Sequence, residues 1–160
     1  MKIKIITTGG TIDKIYFDRK SDFEVGDPQI IDVLKEANVT FDYRVIPLLR
    51  KDSLDLTDED RSRIYETIRQ DRGNRFVVTH GTDTMILTAK AVKGIQDKVI
   101  VLTGAMQPAR FRMTDAVYNI ASAITAVQLL PYGVFIAMNG RIFDPDNARK
   151  NHELNRFEEL

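Results

Sequence analysis

Two rhythms of apolar positions alternate along this chain. Short apolar bursts fall at about residues 2–8, 42–48, 75–79, 98–103 and 133–139. Phe76-Val77-Val78 and Val99-Ile100-Val101-Leu102 are apolar at every position, so both faces of those strands need cover. That is the habit of parallel strands with helices on either side. Between the bursts the period lengthens to that of a helix. Asp27 and Pro28 supply an N-cap carboxylate and a first-turn proline, followed by the apolar face Ile30, Ile31, Val33 and Leu34. Thr57-Asp58-Glu59-Asp60 has the form of a capping box with aspartate in place of glutamate, and leads through Ile64, Tyr65 and Ile68 to a stop at Gly73. A third helix opens at Thr82 or Asp83 and runs to about residue 93, with Met85, Leu87 and Val92 as its core face. A fourth opens at Thr114 and is ended by Pro131. The alternation predicts a single α/β domain over residues 1–160, a doubly wound, mostly parallel five-stranded sheet with helices on both faces.

No repeat or low-complexity tract interrupts this order. The long irregular stretch from Asp13 to Gly26 mixes charges (Asp13, Lys14, Asp18, Arg19, Lys20, Asp22, Glu24) with the aromatics Tyr16, Phe17 and Phe23. Polarity alone fits a solvated loop, and the aromatics favour a lid that closes over a ligand and excludes water. Arg110 and Arg112, in the second irregular stretch, read as surface charges.

Composition narrows the function by exclusion. Lysine plus arginine equals aspartate plus glutamate at 23 each, so no global field favours nucleic acid or an anionic membrane. Cysteine is absent, which removes disulfides and thiol chemistry. The start Met1-Lys2-Ile3-Lys4-Ile5-Ile6-Thr7 is too short and interrupted for a signal-peptide core, and no long apolar span occurs; a cytoplasmic location is expected. The two histidines, His80 and His152, have no partner at metal-ligand spacing, so no metal is expected. His80 reads as a buried turn residue bonding backbone groups. Neither G-x-G-x-x-G nor a P-loop is present, and no cofactor is expected.

The candidate chemistry lies in two turns, each following an apolar burst: Thr8-Gly9-Gly10-Thr11-Ile12 and Thr79-His80-Gly81-Thr82-Asp83-Thr84. In an open α/β sheet both would open on the crevice at the carboxyl ends of the strands, where ligands bind. Glycine before each threonine permits close backbone approach. Either turn alone would be no more than a βα turn with an N-cap. As a nucleophile a threonine hydroxyl needs a neighbouring base, and Asp83 stands next to Thr82.

Together with Thr103-Gly104-Ala105-Met106-Gln107-Pro108, these blocks resemble the bacterial-type L-asparaginase/glutaminase family, over essentially all of this chain but only the amino-terminal half of a usual member. The resemblance implies that Thr11 is the nucleophile that attacks a side-chain amide and forms an acyl-enzyme. It implies that Thr82, Asp83 and Lys150 form a second catalytic group, with Lys150 in a matching loop, Asp144-Pro145-Asp146-Asn147-Ala148-Arg149-Lys150. Ser53, in Asp52-Ser53-Leu54-Asp55-Leu56-Thr57, matches a serine that holds the substrate α-carboxylate. Asp83 matches the group that meets the α-amino group, and Gly10 and Ala105 match positions whose backbone lines the site. Asp115 and Asn119 fit the block that follows, where Ala116 replaces a common glycine. The family's lid tyrosine aligns with Phe23, which has no hydroxyl, so Tyr16 is the candidate to assist Thr11. The implied activity is hydrolysis of asparagine to aspartate and ammonia with minor glutaminase activity, in a homodimer or homotetramer. The stretch 151–160 reads as a natural end. A second reading, a non-catalytic amino-acid-binding or amidotransferase-associated domain, stays open, because larger members complete the pocket with a carboxy-terminal domain.

Overall fold

The computed structural model describes residues 1–17 and 22–160. In chain order the elements are β1 (Lys2–Gly9), β2 (Lys14–Phe17), β3 (Asp22–Val25), α1 (Ile30–Glu36), β4 (Asp42–Lys51), α2 (Asp58–Gln70), β5 (Arg75–Thr79), α3 (Met85–Ala91), β6 (Val99–Thr103), α4 (Ala116–Leu129), β7 (Gly133–Met138), β8 (Arg141–Phe143), β9 (Arg149–Asn151) and β10 (Arg156–Glu158). The main sheet has the order β4-β1-β5-β6-β7-β8. Its first five strands are parallel, and β8 returns antiparallel to β7.

Period-two alternation sorts the strand side chains onto two cores. Ile6, Phe76, Val78, Ile100, Leu102 and Ile136 join Ile64 and Ile68 of α2 and Met85 and Ala89 of α3. Ile3, Ile5, Val77, Val99, Val101 and Ala137 join Ile30 and Leu34 of α1 and Ile120, Ala123 and Val127 of α4. The sheet is thus covered on both faces, as the unbroken apolar runs require. The chain moves from β1 to one side for β4, then crosses back past β1 for β5. The reversal leaves a crevice between β1 and β5 at their carboxyl ends, the position where doubly wound sheets bind ligands.

Several expectations need correction. The sheet has six strands, not five, because the chain doubles back after Asn139 and Gly140, both at positive φ, to add β8. Much of the stretch read as irregular is a hairpin, β2 pairing with β3 from Lys14↔Val25 to Phe17↔Asp22. Asp18, Arg19 and Lys20, read as part of a lid, lie outside the described residues. Asp27 and Pro28 do not open α1. The Asp13 carboxylate takes the Gln29 amide at 2.9 Å, and Gln29 is the capping residue. Thr82 and Asp83 do not open α3, which begins at Met85 after Thr84, because other partners occupy all three side chains. Helix α2 stops at Gln70, where Asp71 accepts the Gly73 amide and closes a turn. Leu87 is 57% exposed and is not core. The Thr57–Asp60 capping box forms in full. Among the described residues, no helix is long and apolar enough to cross a membrane.

Candidate active site

The rim of the sheet is stitched by polar groups at the strand ends. Thr8 donates from Oγ1 to the Thr79 carbonyl at 2.8 Å, the His80 amide donates to the Thr103 carbonyl at 2.9 Å, and Thr103 donates from Oγ1 to the Ala137 carbonyl at 2.9 Å. These bonds extend the parallel ladder past its last regular residue and fix where each turn leaves the sheet. His80 is fully buried between the Gly81 carbonyl at 2.6 Å and Thr88 Oγ1 at 2.7 Å. Burial pushes its imidazole down to about 4, against the pull of the Gly81 carbonyl, so at neutral pH it is an uncharged turn residue.

Two of the turns touch through their main chains. Gly10 has φ 88, a conformation that favours glycine, and a Cβ there would collide with the backbone of Gly81. Gly81 in turn faces Ser53, where a Cβ would come within 2.6 Å of the serine's own. The Gly10 amide donates to the Lys51 carbonyl at 2.9 Å, which ties the first turn to the end of β4. Thr11 then begins a single 3-10 turn, Thr11–Asp13, with its side chain partly exposed on the rim.

Lys150, from β9, reaches across this rim. Its Nζ donates to Thr82 Oγ1 at 2.8 Å and to Asp83 Oδ1 at 2.6 Å. The lysine side chain is 11% exposed and that of Asp83 34%. Since Thr82 Oγ1 accepts from the lysine, its own hydrogen is free to point at a ligand or water. Ser53 lies in a 3-10 turn, Ser53–Asp55, capped by Asp52, and its carbonyl accepts from Thr84 Oγ1 at 2.7 Å. Its hydroxyl is buried and has no hydrogen-bond partner among the described residues. A buried hydroxyl left unpaired is costly, and an incoming acceptor would satisfy it.

Ala105 is fully buried in the turn after β6. Asp115 holds that turn by accepting from the amides of Met106 at 2.9 Å and Gln107 at 3.0 Å, and Asn119 donates from Nδ2 to the Gly104 carbonyl at 3.0 Å. The structure therefore brings Gly10, Thr11, Ser53, Thr82, Asp83, Ala105 and Lys150 to one edge of the sheet. It does not bring Tyr16 onto Thr11: the Tyr16 ring packs edge-on against Phe23 with centroids 5.5 Å apart, it is 54% exposed, and no hydrogen bond joins Tyr16 to Thr11. An apolar groove of about 510 Å³ lies elsewhere, between α4 and β8, and no carboxylate, amine or imidazole lines it.

Two residues of structural weight escaped the sequence reading. Asp13, counted only as a loop charge, is 2% exposed, and its own carbonyl accepts the Gly26 amide at 2.7 Å. Asn139 takes φ 52, and the Asn-Gly pair ahead of β8 was the available signal.

Comparison with known proteins bears on the family and the fold. Residues 2–158 match the family model described as asparaginase, N-terminal. The chain is 32% identical over 146 residues to a glutamyl-tRNA(Gln) amidotransferase subunit of Saccharolobus islandicus, covering 82% of this chain and 32% of that protein. It is 31% identical to an L-asparaginase of Bacillus licheniformis, covering 96% of this chain and 51% of the relative. The structure of the thermostable L-asparaginase from Thermococcus kodakarensis superposes with a TM-score of 0.83 at 27% identity, over 100% of this chain and 51% of that one. The chain thus spans between a third and a half of the length of these relatives. From strand order to turn sequence, the chain belongs to the asparaginase family and corresponds to its amino-terminal domain.

Proposed function

We propose that this chain is the catalytic domain of an amidohydrolase that converts L-asparagine to aspartate and ammonia, with minor activity on glutamine. The observation that carries the reading is the Lys150–Thr82–Asp83 cluster, hydrogen-bonded beside the Gly10–Thr11 turn. Thr11 Oγ1 attacks the side-chain amide carbon, and the hydroxyl proton is relayed, through Tyr16 or a water, to the amide nitrogen, which leaves as ammonia. The tetrahedral intermediate collapses with loss of ammonia to an ester on Thr11, and water, oriented by Thr82, hydrolyses that ester to aspartate and free threonine. The unpaired Ser53 hydroxyl is suited to the substrate α-carboxylate, and the partly exposed Asp83 carboxylate to the α-ammonium. In this reading the developing oxyanion is met by main-chain amides of the Thr11 and Ala105 turns other than those of Gly10 and Met106, which are bonded to Lys51 and Asp115. The proposal includes a cytoplasmic homodimer or homotetramer with no cofactor, in which a second copy closes the pocket.

The similarity to a protein of the amidotransferase class favours a second reading, a domain that delivers or binds an amide without free turnover. Incubating the purified protein with asparagine and with glutamine while measuring ammonia separates the two. Ammonia release from asparagine, exceeding that from glutamine, is the expected result. Stabilisation by both amino acids with no ammonia from either would decide for the binding domain. Discrimination between the two substrates rests on one methylene and is expected to be only about 10–200-fold.

Tyr16 enters the proposal as a hydroxyl that swings over Thr11 when the hairpin closes on substrate. The β2–β3 hairpin is tied to the body of the domain by Lys14, which pairs with Asp52 at 2.9 Å, by the Val25 carbonyl, which accepts from Arg50 Nε at 2.9 Å, and by Phe23, whose ring lies 5.9 Å from that of Phe111. Tyr16→Phe keeps the ring packing on Phe23 and is expected to lower kcat by about 10²-fold, as for a positioned acid–base group. Unchanged kcat would leave water or Thr82 to activate the nucleophile.

A further inference from the structure

Asn139 ends β7 in a left-handed conformation (φ 52) that asparagine tolerates better than most residues. Its main chain and side chain face two different partners. The amide donates to Asn119 Oδ1 at 3.1 Å, while the side-chain Oδ1 accepts from the Phe157 amide at 2.9 Å. Asn119, 1% exposed, gives both hydrogens of Nδ2, one to the Gly104 carbonyl and one to Asp115 Oδ2, each at 3.0 Å. Phe157 stands opposite Lys150 in the β9–β10 ribbon. The bonds run without a break from the Gly104–Gln107 turn through Asn119 and Asn139 to Phe157 and the strand that carries Lys150.

The ribbon needs such a tie. It is a separate two-stranded sheet of three-residue strands, and a lone ribbon is marginal in water. Lys93 also anchors its approach through Asp144 and Asp146, but those ion pairs are exposed and contribute little. Phe157 packs beneath the ribbon, its ring 6.3 Å from Phe143, and this contact sets depth without setting register along the strand. Apart from Lys150's own bonds to Thr82 and Asp83 and the exposed Arg141–Glu159 pair, the directional tie of the ribbon to the rest of the domain among the described residues is the Asn139 side chain.

We propose that Asn139 is a positioning residue that clamps the Lys150 strand to the Gly104–Gln107 turn, holding the amine on Thr82 in register with the backbone at Ala105. This rests on the amide-hydrolysis reading, in which both groups meet one substrate. A displacement of the order of 1 Å at such a site can cost about 10²-fold in rate, and the clamp keeps the lysine below that margin.

Two variants isolate the clamp. Asn139→Gly accepts the same φ and removes the whole carboxamide, including the oxygen that takes the Phe157 amide, whereas Asn139→Asp keeps the side chain's shape and an oxygen acceptor in place. Both are compared with the unaltered protein in asparagine kinetics and in the rate at which Lys150 of the folded protein reacts with an amine-acylating reagent, mapped by peptide mass spectrometry. The glycine variant is expected to lose about 10-fold or more in kcat with KM changed less than about 2-fold, a pattern of lost alignment rather than lost binding. Lys150 should acylate several-fold faster in it, and the aspartate variant should restore both readouts. Lys150 protection and kcat equal to those of the unaltered protein in Asn139→Gly would overturn the proposal. Should the unaltered protein release no ammonia, the amidohydrolase reading fails alone, and the acylation rates still decide for or against the clamp.

Discussion

Replacing Thr11 by alanine is expected to reduce ammonia release from asparagine by about 10³-fold or more, the scale on which removal of a nucleophile acts. Folding should be almost untouched. The side chain is partly exposed at the mouth of a 3-10 turn whose geometry is set by Gly10 and by the Asp13-to-Gly10 backbone bond of 3.1 Å, not by the threonine. Its loss opens no core cavity, so the thermal midpoint should move by no more than about 2–4 °C. The companion variant is Lys150→Met, which keeps an apolar stem and deletes the amine that donates to Thr82 and Asp83. Here kcat should fall more than KM rises, because on the amidohydrolase reading the lysine bonds directly to the Thr82 hydroxyl and reaches the substrate's α-ammonium only through Asp83, whose carboxylate remains. Native-like turnover in Thr11→Ala would end the nucleophile assignment. A raised KM at constant kcat in Lys150→Met would reassign the lysine to binding.

The second large effect is on stability and comes from two buried groups whose pH dependences oppose each other. Burial pushes the Asp13 carboxyl up to about 7, although the Gln29 amide and Arg50 pull it down. In the unfolded chain it titrates near 3.8. Between those values the folded state holds the extra proton, so stability falls as pH rises and the loss is complete above about 7. His80 runs the other way. Its imidazole titrates near 6.5 unfolded and about 4 folded, so the unfolded chain holds the extra proton in that interval and stability rises with pH across it. From pH 4 to 6.5 the two slopes offset each other. Asp13→Asn keeps an oxygen for the Gln29 amide and removes the charge. At pH 8 it should stabilise the protein, with an upper bound on the order of 4 kcal/mol, and at lower pH it should uncover the rise due to His80. Urea midpoints of both proteins at about pH 5 and about pH 8, on either side of the folded Asp13 titration, measure this. An Asp13→Asn midpoint no higher than the parent's at the upper pH would show that the carboxyl is not destabilised by its burial.

The strands were legible because their signal is local. Phe76-Val77-Val78 has no polar position to offer solvent, and β5 occupies the span that the apolar run predicts, Arg75–Thr79. Helix starts were less legible where a distant partner competes for the capping groups. The sequence of Asp27 and Pro28 is a good helix opening, but Asp13, 16 residues from Gln29, takes the Gln29 amide, and nothing near Pro28 announces that bond. Thr82 and Asp83 likewise read as an N-cap, and Lys150, 68 residues from Thr82, draws both away. The candidate site was legible through its turn sequences, and the structure adds what connects them. Leu87 shows the limit of periodicity, since its spacing fits a buried face that α3, only seven residues long, presents through Met85, Thr88 and Ala89 instead.

The contact of Gly10 with Gly81 sets the separation of the two threonine turns by main chain against main chain, with no side chain between them. A distance fixed in this way is insulated from what happens in the two cores. Substitutions there that soften packing lower the melting point and reach the gap between the two turns only through the strands that carry them, so its width is expected to change little. On the amidohydrolase reading, turnover and thermal resistance are separately adjustable in this domain: core variants should keep their turnover per folded molecule until they melt, while either glycine, once given a side chain, should lose turnover at any temperature.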